Sequence, residues 1–326
     1  MHDTTTDLQG VHVSLPQLMA LEFHARGLSL LARQPRSSIL AGSHGSRLRG
    51  RGLDFEELRR YLPGDDLRAL DWRSSSRLGK PFIKAYREER DRPALLVVDQ
   101  RMNMHFGSVL NFKSVVAAEL AALLGWTAWH AGDRVGGLVF NDTQIEQISA
   151  RRSRETLSAL LAAVVRQNTA LAADNPVEDA PGQLDTALLR CLRSAAHDHL
   201  ICIISDFAGS SDNTLRLLRQ LAAHNDVIAL QIYDPLALKL PEKGRVLITQ
   251  GQVQVELTLD RAKVRKPLGD FLQGRLREVA QMLRRSRIPL LMFSNGENTL
   301  DQLRRELGRQ TIAGQAALGS HVETAP

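Results

Sequence analysis

Three largely apolar runs stand out in the second part of the chain. They are LLVVD from Leu95 to Asp99, LICIISDF from Leu200 to Phe207, and VIALQIYD from Val227 to Asp234. Continuous runs of this kind, rather than alternating ones, are typical of strands whose two faces are both covered. The pattern therefore predicts a doubly wound α/β fold around a mostly parallel sheet.

Segments with helical spacing separate these runs and complete an alternation of strands and helices after Pro93. The predicted elements are strand 94–99, helix 112–131, strand 134–140, strand 144–149, helix 153–167, helix 184–196, strand 199–205, helix 213–225, strand 227–233, hairpin 245–258, helix 264–286, strand 288–293 and helix 298–308. We accordingly predict an amino-terminal segment over 1–92, the α/β domain over 93–311, and a flexible tail over 312–326.

The amino-terminal segment contains two predicted helices among short strands. Ser14 and Gln17 have the spacing of a capping box, which indicates that a helix begins there. A second helix of one or two turns is predicted to start at Asp54, because Phe55 and Leu58 are three residues apart.

Length and composition favour a globular chain, with 326 residues of which 43% are hydrophobic. The longest apolar runs are far shorter than the roughly 20 residues that a membrane helix needs. The first thirty residues lack the basic start and apolar block of a secretion signal, so we expect a cytoplasmic protein. Cys191 and Cys202 have no CxxC partner, and buried core thiols are the expected role.

Positive charge is concentrated in one segment. Residues 33–92 contain 15 Lys or Arg and 9 Asp or Glu, an excess that equals the net charge of +6 for the whole chain. Clustered basic residues can neutralise phosphates, so nucleic-acid binding through this segment is one alternative. The interleaved acidic residues fit ion pairing within the protein better, and we expect no nucleic-acid partner.

Motifs for nucleotide binding or hydrolysis are missing from the sequence. No GxGxxG follows the first strand, SSSRLGKP at 74–81 lacks the first glycine of a Walker A loop, and no GxSxG occurs. His197 and His199 precede a strand without evident partners for a metal. We therefore expect a protein that is not an enzyme, and a metal-dependent hydrolase at the carboxyl ends of the strands stays as the alternative.

The run GSRLRGRGLDFEELRRYLPGDDLRALDWRSSSRLGKPFIKAYREER resembles the signature of a bacterial family called domain of unknown function 58 (DUF58). The matching positions are Gly50, Gly52, Asp54, Phe55, Leu58, Arg59, Tyr61, Pro63, Gly64, Asp65, Asp66, Arg68, Leu70, Asp71 and Trp72. The resemblance implies a von Willebrand factor type A-like domain after the motif. It also implies a protein-interaction adaptor that works with a MoxR-type AAA+ ATPase in chaperone-like assembly or maturation of a client.

For the motif residues themselves, two roles are open. Phe55, Leu58, Tyr61 and Trp72 are expected to be packing residues. The charged residues are expected to cap turns and form ion pairs, and direct contact with the ATPase is the alternative.

Von Willebrand A domains commonly hold a divalent cation through D-x-S-x-S, a threonine and a later aspartate. Carried over by resemblance, Asp99 and Asp206 match the two aspartates, and Arg101 and Asn103 occupy the serine positions. At the threonine position the sequence has Leu184, with Thr186 two residues later. The sequence thus implies a degenerate site that disfavours Mg²⁺, because an arginine has no lone pair to offer and brings its own positive charge.

Two placements of Arg101 are open at this stage. The guanidinium could take the place of the cation and pair with both Asp99 and Asp206. Alternatively, Arg101 points to solvent and the site has only lost its ligands.

Overall fold

The computed structural model describes residues 10–29, 53–61, 70–88, 92–172, 180, 182–241, 245–250, 253–258 and 262–307. The chain divides into two compact units. The smaller consists of residues 36–91, and the larger comprises the remaining chain, in which residues 1–35 join those from Arg92 onward.

The secondary structure follows the predicted alternation closely after Pro93. In chain order the elements are α1 (Leu15–Ala25), β1 (Leu53–Arg60), α2 (Trp72–Leu78), β2 (Phe82–Glu88), β3 (Pro93–Asp99), α3 (Lys113–His130), β4 (Arg134–Phe140), β5 (Ile145–Arg151), α4 (Arg154–Thr169), α5 (Gln183–Ser194), β6 (Leu200–Ser205), α6 (Asp212–His224), β7 (Asp226–Tyr233), β8 (Arg245–Gln250), β9 (Val253–Thr258), α7 (Ala262–Arg285), β10 (Leu290–Ser294) and α8 (299–307).

A six-stranded sheet forms the centre of the larger unit, in the order β10-β7-β6-β3-β4-β5. All neighbouring pairs are parallel except β4 and β5, which are antiparallel. This is the strand order of a doubly wound α/β fold, in which the order reverses between the first and fourth strands of the sheet. The predicted fold class is confirmed.

Helices cover both faces of the sheet, as the continuous apolar runs predicted. All seven residues of β3 are buried; Leu96 and Val98 pack on one face, and Leu95 and Val97 on the other. Helices α1, α3, α4 and α8 contribute to the first hydrophobic cluster, and α5, α6 and α7 to the second. Both cysteines are buried and neither is part of a disulfide bond, in agreement with the predicted core thiols.

Helix α1 lies in the same unit as the sheet. Its capping box is formed, with Gln17 Oε1 accepting a hydrogen bond from the Ser14 backbone N–H at 2.8 Å. Leu18 and Ala25 are buried against α3, and the Leu18 carbonyl accepts a hydrogen bond from Trp126 Nε1 at 3.3 Å. The beginning of the predicted segment 1–92 is therefore part of the α/β core.

The helix predicted at Asp54 is wrong, because Leu53–Arg60 is strand β1, paired antiparallel with β2. A bulge between Phe55 and Glu57 explains the error. Phe55 pairs with Tyr86 and Leu58 with Lys84, so three residues on β1 correspond to two on β2. A bulge inserts one extra residue into a strand, and a three-residue apolar spacing then fits a strand as well as a helix.

None of the helices in the described ranges is long and apolar enough to cross a lipid bilayer.

Candidate functional site

Polar side chains gather at the carboxyl ends of two central strands, β3 and β6. Asp99 is the last residue of β3, Ser205 is the last of β6, and Asp206 follows it. Because the two strands are parallel neighbours, these ends meet at one edge of the sheet. This edge, beside the point where the strand order reverses, is where doubly wound folds bind ligands. We call it the carboxyl edge.

Arg101 and Asp99 form a buried, two-pronged ion pair. Arg101 Nε lies 3.0 Å from Asp99 Oδ1, and Nη2 lies 2.7 Å from Oδ2. The backbone N–H of Arg101 also donates to Oδ1 at 3.0 Å. The side chains are 3% and 0% exposed, respectively, so both charges are out of contact with water. The first of the two predicted placements of Arg101 is therefore correct for Asp99.

Further contacts fix the guanidinium in place. Arg101 Nη1 donates to the Ala208 carbonyl at 3.1 Å, and its carbon lies 5.5 Å from the centre of the Phe140 ring. Ser205 Oγ donates to Asp99 Oδ2 at 2.6 Å. Burial opposes the charge, but the attraction and hydrogen bonds of Asp99 outweigh it, and the pKa of Arg101 is raised above its ordinary value. Arg101 is therefore a permanent cation here.

Asp206 has a different cation as its partner. Lys113 Nζ, on the first residue of α3, lies 2.5 Å from Asp206 Oδ2. Asn103 Nδ2 and the Ala208 backbone N–H donate to Oδ1 at 2.6 and 2.9 Å. Burial acts to raise the pKa of Asp206, but Lys113 and Arg101 bring it below its ordinary value. The predicted pairing of Arg101 with Asp206 is thus wrong as a direct contact, because Lys113 occupies that position.

A third carboxylate anchors the loop after β3. Asp142 Oδ2 accepts a hydrogen bond from the Met102 backbone N–H at 2.7 Å. Burial raises the pKa of Asp142, and this hydrogen bond and Arg101 act against the rise. Sequence reasoning missed Asp142, Lys113 and Ser205. Ser205 alone had a signal, since it lies beside Asp206 at the end of an apolar run.

The two remaining metal-site positions do not join this cluster. Leu184 is buried in the hydrophobic layer of α5, and the Thr186 hydroxyl donates to the Gly182 carbonyl of its own helix at 3.0 Å. Thr186 is also exposed. Neither residue therefore contributes an oxygen to the cluster around Asp99 and Asp206.

A magnesium ion does not fit this donor set. Both oxygens of Asp99 and both oxygens of Asp206 already accept hydrogen bonds from protein groups. Two protein cations, Arg101 and Lys113, lie against those oxygens where a divalent ion would need them. Mg²⁺ requires hard, free oxygen ligands, and repulsion by two adjacent cations would oppose its binding.

The loop between β3 and α3 presents two apolar side chains to solvent. Val109 is 71% exposed and Leu110 is 53% exposed. Ser108 fixes the loop to Asp234, which follows β7, through its backbone N–H at 2.9 Å and its hydroxyl at 2.5 Å. Asn111 donates its backbone N–H to the Asn295 carbonyl at 3.0 Å. The apolar pair is therefore carried on an anchored loop at the carboxyl edge.

Two histidines pack under the same loop. His105 and His12 stack with ring centres 5.7 Å apart, and Phe112 meets the His105 ring edge-on at 4.8 Å. Nδ1 of His105 is buried and has no hydrogen-bond partner among the residues that the structure describes. Burial first, and His12 second, lower the pKa of His105 to about 4. This histidine is therefore neutral in the folded protein at neutral pH.

Stability is expected to fall as the pH is lowered from about 6.5 to about 4. The unfolded chain, with a histidine pKa near 6.5, takes up the proton first, so the contribution of His105 is lost across that window. His105→Phe keeps the ring packing without titrating. Between pH 7 and pH 4.5 it should lose about 1 kcal/mol less free energy of unfolding than the natural chain. Urea unfolding at both pH values measures this, and equal losses would contradict it.

Most residues of the family motif lie outside the described residues or have undescribed side chains. Gly50, Gly52, Pro63, Gly64, Asp65, Asp66 and Arg68 lie outside them, and Phe55, Leu58 and Arg59 are described only as backbone of β1. Asp71 caps α2, accepting from the Arg73 backbone N–H at 3.1 Å, and Tyr61 is half-buried. Trp72 is 74% exposed, which does not fit the packing role expected for it.

Several solved structures resemble parts of this fold. BatB from Bacteroides thetaiotaomicron, a conserved hypothetical protein, aligns with a TM-score of 0.39 and 11% identity, over 68% of this chain and 99% of that one. The SpRpn10 VWA domain aligns with a TM-score of 0.37 and 10% identity, over 66% of this chain and 94% of that one. Scores at this level do not establish a relationship.

Sequence relatives and a family signature are more informative. Uncharacterized protein Rv1480 of Mycobacterium tuberculosis and uncharacterized protein Mb1516 of Mycobacterium bovis are each 28% identical over 282 residues, covering 86% of both chains. The sequence signature described as "Protein of unknown function DUF58" matches residues 57–272, more than half of the chain. The chain therefore belongs to the DUF58 family.

Proposed function

We propose that this protein is a cytoplasmic, non-enzymatic adaptor that binds a protein partner at its carboxyl edge without a metal ion. The observation that carries the proposal is the arrangement of charges there. Asp99 is neutralised by Arg101 and Asp206 by Lys113, so the carboxylates are held by the protein itself. A carboxylate whose oxygens all accept protein hydrogen bonds is poorly suited to act as a base or a metal ligand.

Support for partner binding comes from the anchored loop beside these pairs. Val109 and Leu110 are exposed apolar side chains on a loop whose position is fixed by Ser108 and Asn111. An ordered apolar pair loses little conformational entropy when a partner covers it. The partner proposed from the family resemblance is a MoxR-type AAA+ ATPase, with an unknown client protein.

Charge substitution at the loop should weaken the interaction. We expect Val109→Asp with Leu110→Asp to reduce co-purification of the full-length chain with the MoxR-type ATPase of the same organism at least about tenfold, because two charges would have to be buried. Phe23→Asp is the matched control, since Phe23 is 72% exposed on α1. Undiminished binding by the double variant, or equal loss with the control, would contradict this site.

The metal-free part of the proposal has its own test. Calorimetric titration of the natural chain with Mg²⁺ or Mn²⁺ should give no binding at the carboxyl edge. Micromolar binding that Asp99→Ala abolishes would contradict the proposal that the site works without a metal ion.

A further inference from the structure

A strip of polar and apolar residues follows the outer face of α6. Asp212, Leu215, Arg216, Arg219, Gln220 and Ala223 line an open groove of about 510 Å³. The opposite face of the helix, with Leu217, Leu218 and Leu221, is buried against the sheet. This face of α6 thus combines the half-buried Leu215 and the exposed Ala223 with Arg216 and Arg219.

The carboxyl end of α7 adds three more arginines beside this groove. Arg284 and Arg285 are exposed in the last turn of α7, and Arg287 is exposed just after it. Arg219 Nη2 lies 3.5 Å from the carbonyl oxygen of Arg285, so the two helices meet at these residues. Within the described part of the chain, none of the five arginines forms an ion pair with a carboxylate.

Arg287 occupies a backbone position that favours glycine. Its φ is 56°, in the left-handed region. The Ile288 N–H donates to the Leu283 carbonyl at 3.1 Å, and the Arg287 N–H to the Arg284 carbonyl at 3.0 Å. These are the two hydrogen bonds of a Schellman motif, whose left-handed residue is most often glycine. Arginine is less stable than glycine in this conformation. A purely structural role in ending the helix does not explain why an arginine stands at this position.

The carboxyl ends of α6 and α7 lie at the edge of the sheet opposite the candidate site. Helix α6 ends directly before β7 begins at Asp226, and α7 ends shortly before β10 begins at Leu290. Both strands are parallel to β6, which ends at the carboxyl edge. The arginines at the ends of these two helices therefore lie at the amino-terminal edge, away from the carboxyl edge.

We propose that the outer face of α6, together with the neighbouring end of α7, binds an acidic segment of a partner protein that alternates carboxylate and aliphatic side chains. The arginines match the carboxylates of such a segment, and Leu215 and Ala223 match its aliphatic groups. Arg216 also donates to the neutral Asn213 Oδ1 at 2.8 Å, which leaves its charge without a described carboxylate partner. A nucleic acid fits less well, because none of the described residues that line this face is aromatic and bases would have no ring on which to stack.

The test uses the full-length chain and a fluorescein-labelled peptide of alternating glutamate and leucine, with fluorescence anisotropy as the measurement. Arg216→Glu with Arg219→Glu is expected to weaken binding at least about tenfold, because two attractions become repulsions. The matched control is Arg190→Glu with Arg193→Glu on the neighbouring helix α5, which makes the same charge change at exposed positions. It should weaken binding about twofold or less.

Arg287→Gly separates binding from folding. It is expected to weaken peptide binding about two- to threefold while leaving the midpoint of thermal unfolding unchanged or higher, since glycine adopts the left-handed conformation without strain. The inference is overturned if the natural chain does not bind the peptide. It is also overturned if the two double variants bind alike, if Arg287→Gly loses stability but not binding, or if a short DNA duplex binds more tightly than the peptide.

Discussion

Replacing Arg101 by alanine is expected to lower the free energy of unfolding by about 3–5 kcal/mol, the usual cost of removing one partner from a buried ion pair. The change would leave the Asp99 carboxylate fully buried, with Ser205 Oγ as its remaining side-chain donor. Loss of the side chain would also leave a space under the loop and remove the contact of the guanidinium with Phe140. Urea or guanidinium unfolding at neutral pH measures the difference.

Two further variants make this result interpretable. Arg190→Ala removes an exposed arginine from α5 and should change the free energy of unfolding by less than about 0.5 kcal/mol. Arg101→Met combined with Asp99→Asn removes both charges and should recover at least half of the loss, because no unpaired charge stays buried. If Arg101→Ala costs no more than Arg190→Ala, Arg101 does not hold the site together.

Replacing Trp126 by alanine should cost about 3–5 kcal/mol, as for other large aromatic residues removed from a core. Trp126 is fully buried on α3, donates to the Leu18 carbonyl of α1, and has the Arg154 guanidinium 5.6 Å from its ring centre. Its removal opens a cavity between α3 and α1. Chemical denaturation gives the size of the effect.

Hydrogen exchange locates the effect of Trp126. The amides of α1 should lose more protection than those of α5, which lies on the other face of the sheet. Trp126→Phe, which keeps most of the ring volume but loses the hydrogen bond to Leu18, should cost about 1–2 kcal/mol. Equal loss of protection in α1 and α5 would contradict the packing of α1 as an element of the core.

The elements of the α/β core could be predicted because strands that are buried on both faces consist of continuous apolar runs, which are visible in the sequence. Strand 94–99 was predicted and β3 spans Pro93–Asp99; helix 112–131 was predicted and α3 spans Lys113–His130. The helix predicted at Asp54 is wrong because β1 contains a bulge. The bulge allows a three-residue spacing of apolar positions, whereas regular alternation in a strand gives a spacing of two. Bulges depend on pairing with a distant strand, which local patterns do not record.

For the site, the sequence left two placements of Arg101 open, and the structure has its pairing with the nearby Asp99 but not a direct pairing with the distant Asp206. Arg101 reaches Asp99 because it lies two residues after the end of β3 at Asp99. Which cation reaches Asp206 depends on where α3 begins in space, and Lys113 lies 93 residues away along the chain. The resemblance gave positions for Leu184 and Thr186, but the orientation of α5 is a property of packing.

The position of α1 has a consequence for synthesis of the chain on the ribosome. Its partner helix α3 begins at Lys113, 88 residues after α1 ends at Ala25. At a translation rate of about 5–20 residues per second, α1 is made some 4–18 s before α3 starts to appear. During that interval Leu18 and Ala25, which the finished fold buries, have no surface to cover them. Nascent chains should therefore expose this helix to chaperones until the ribosome has passed α3.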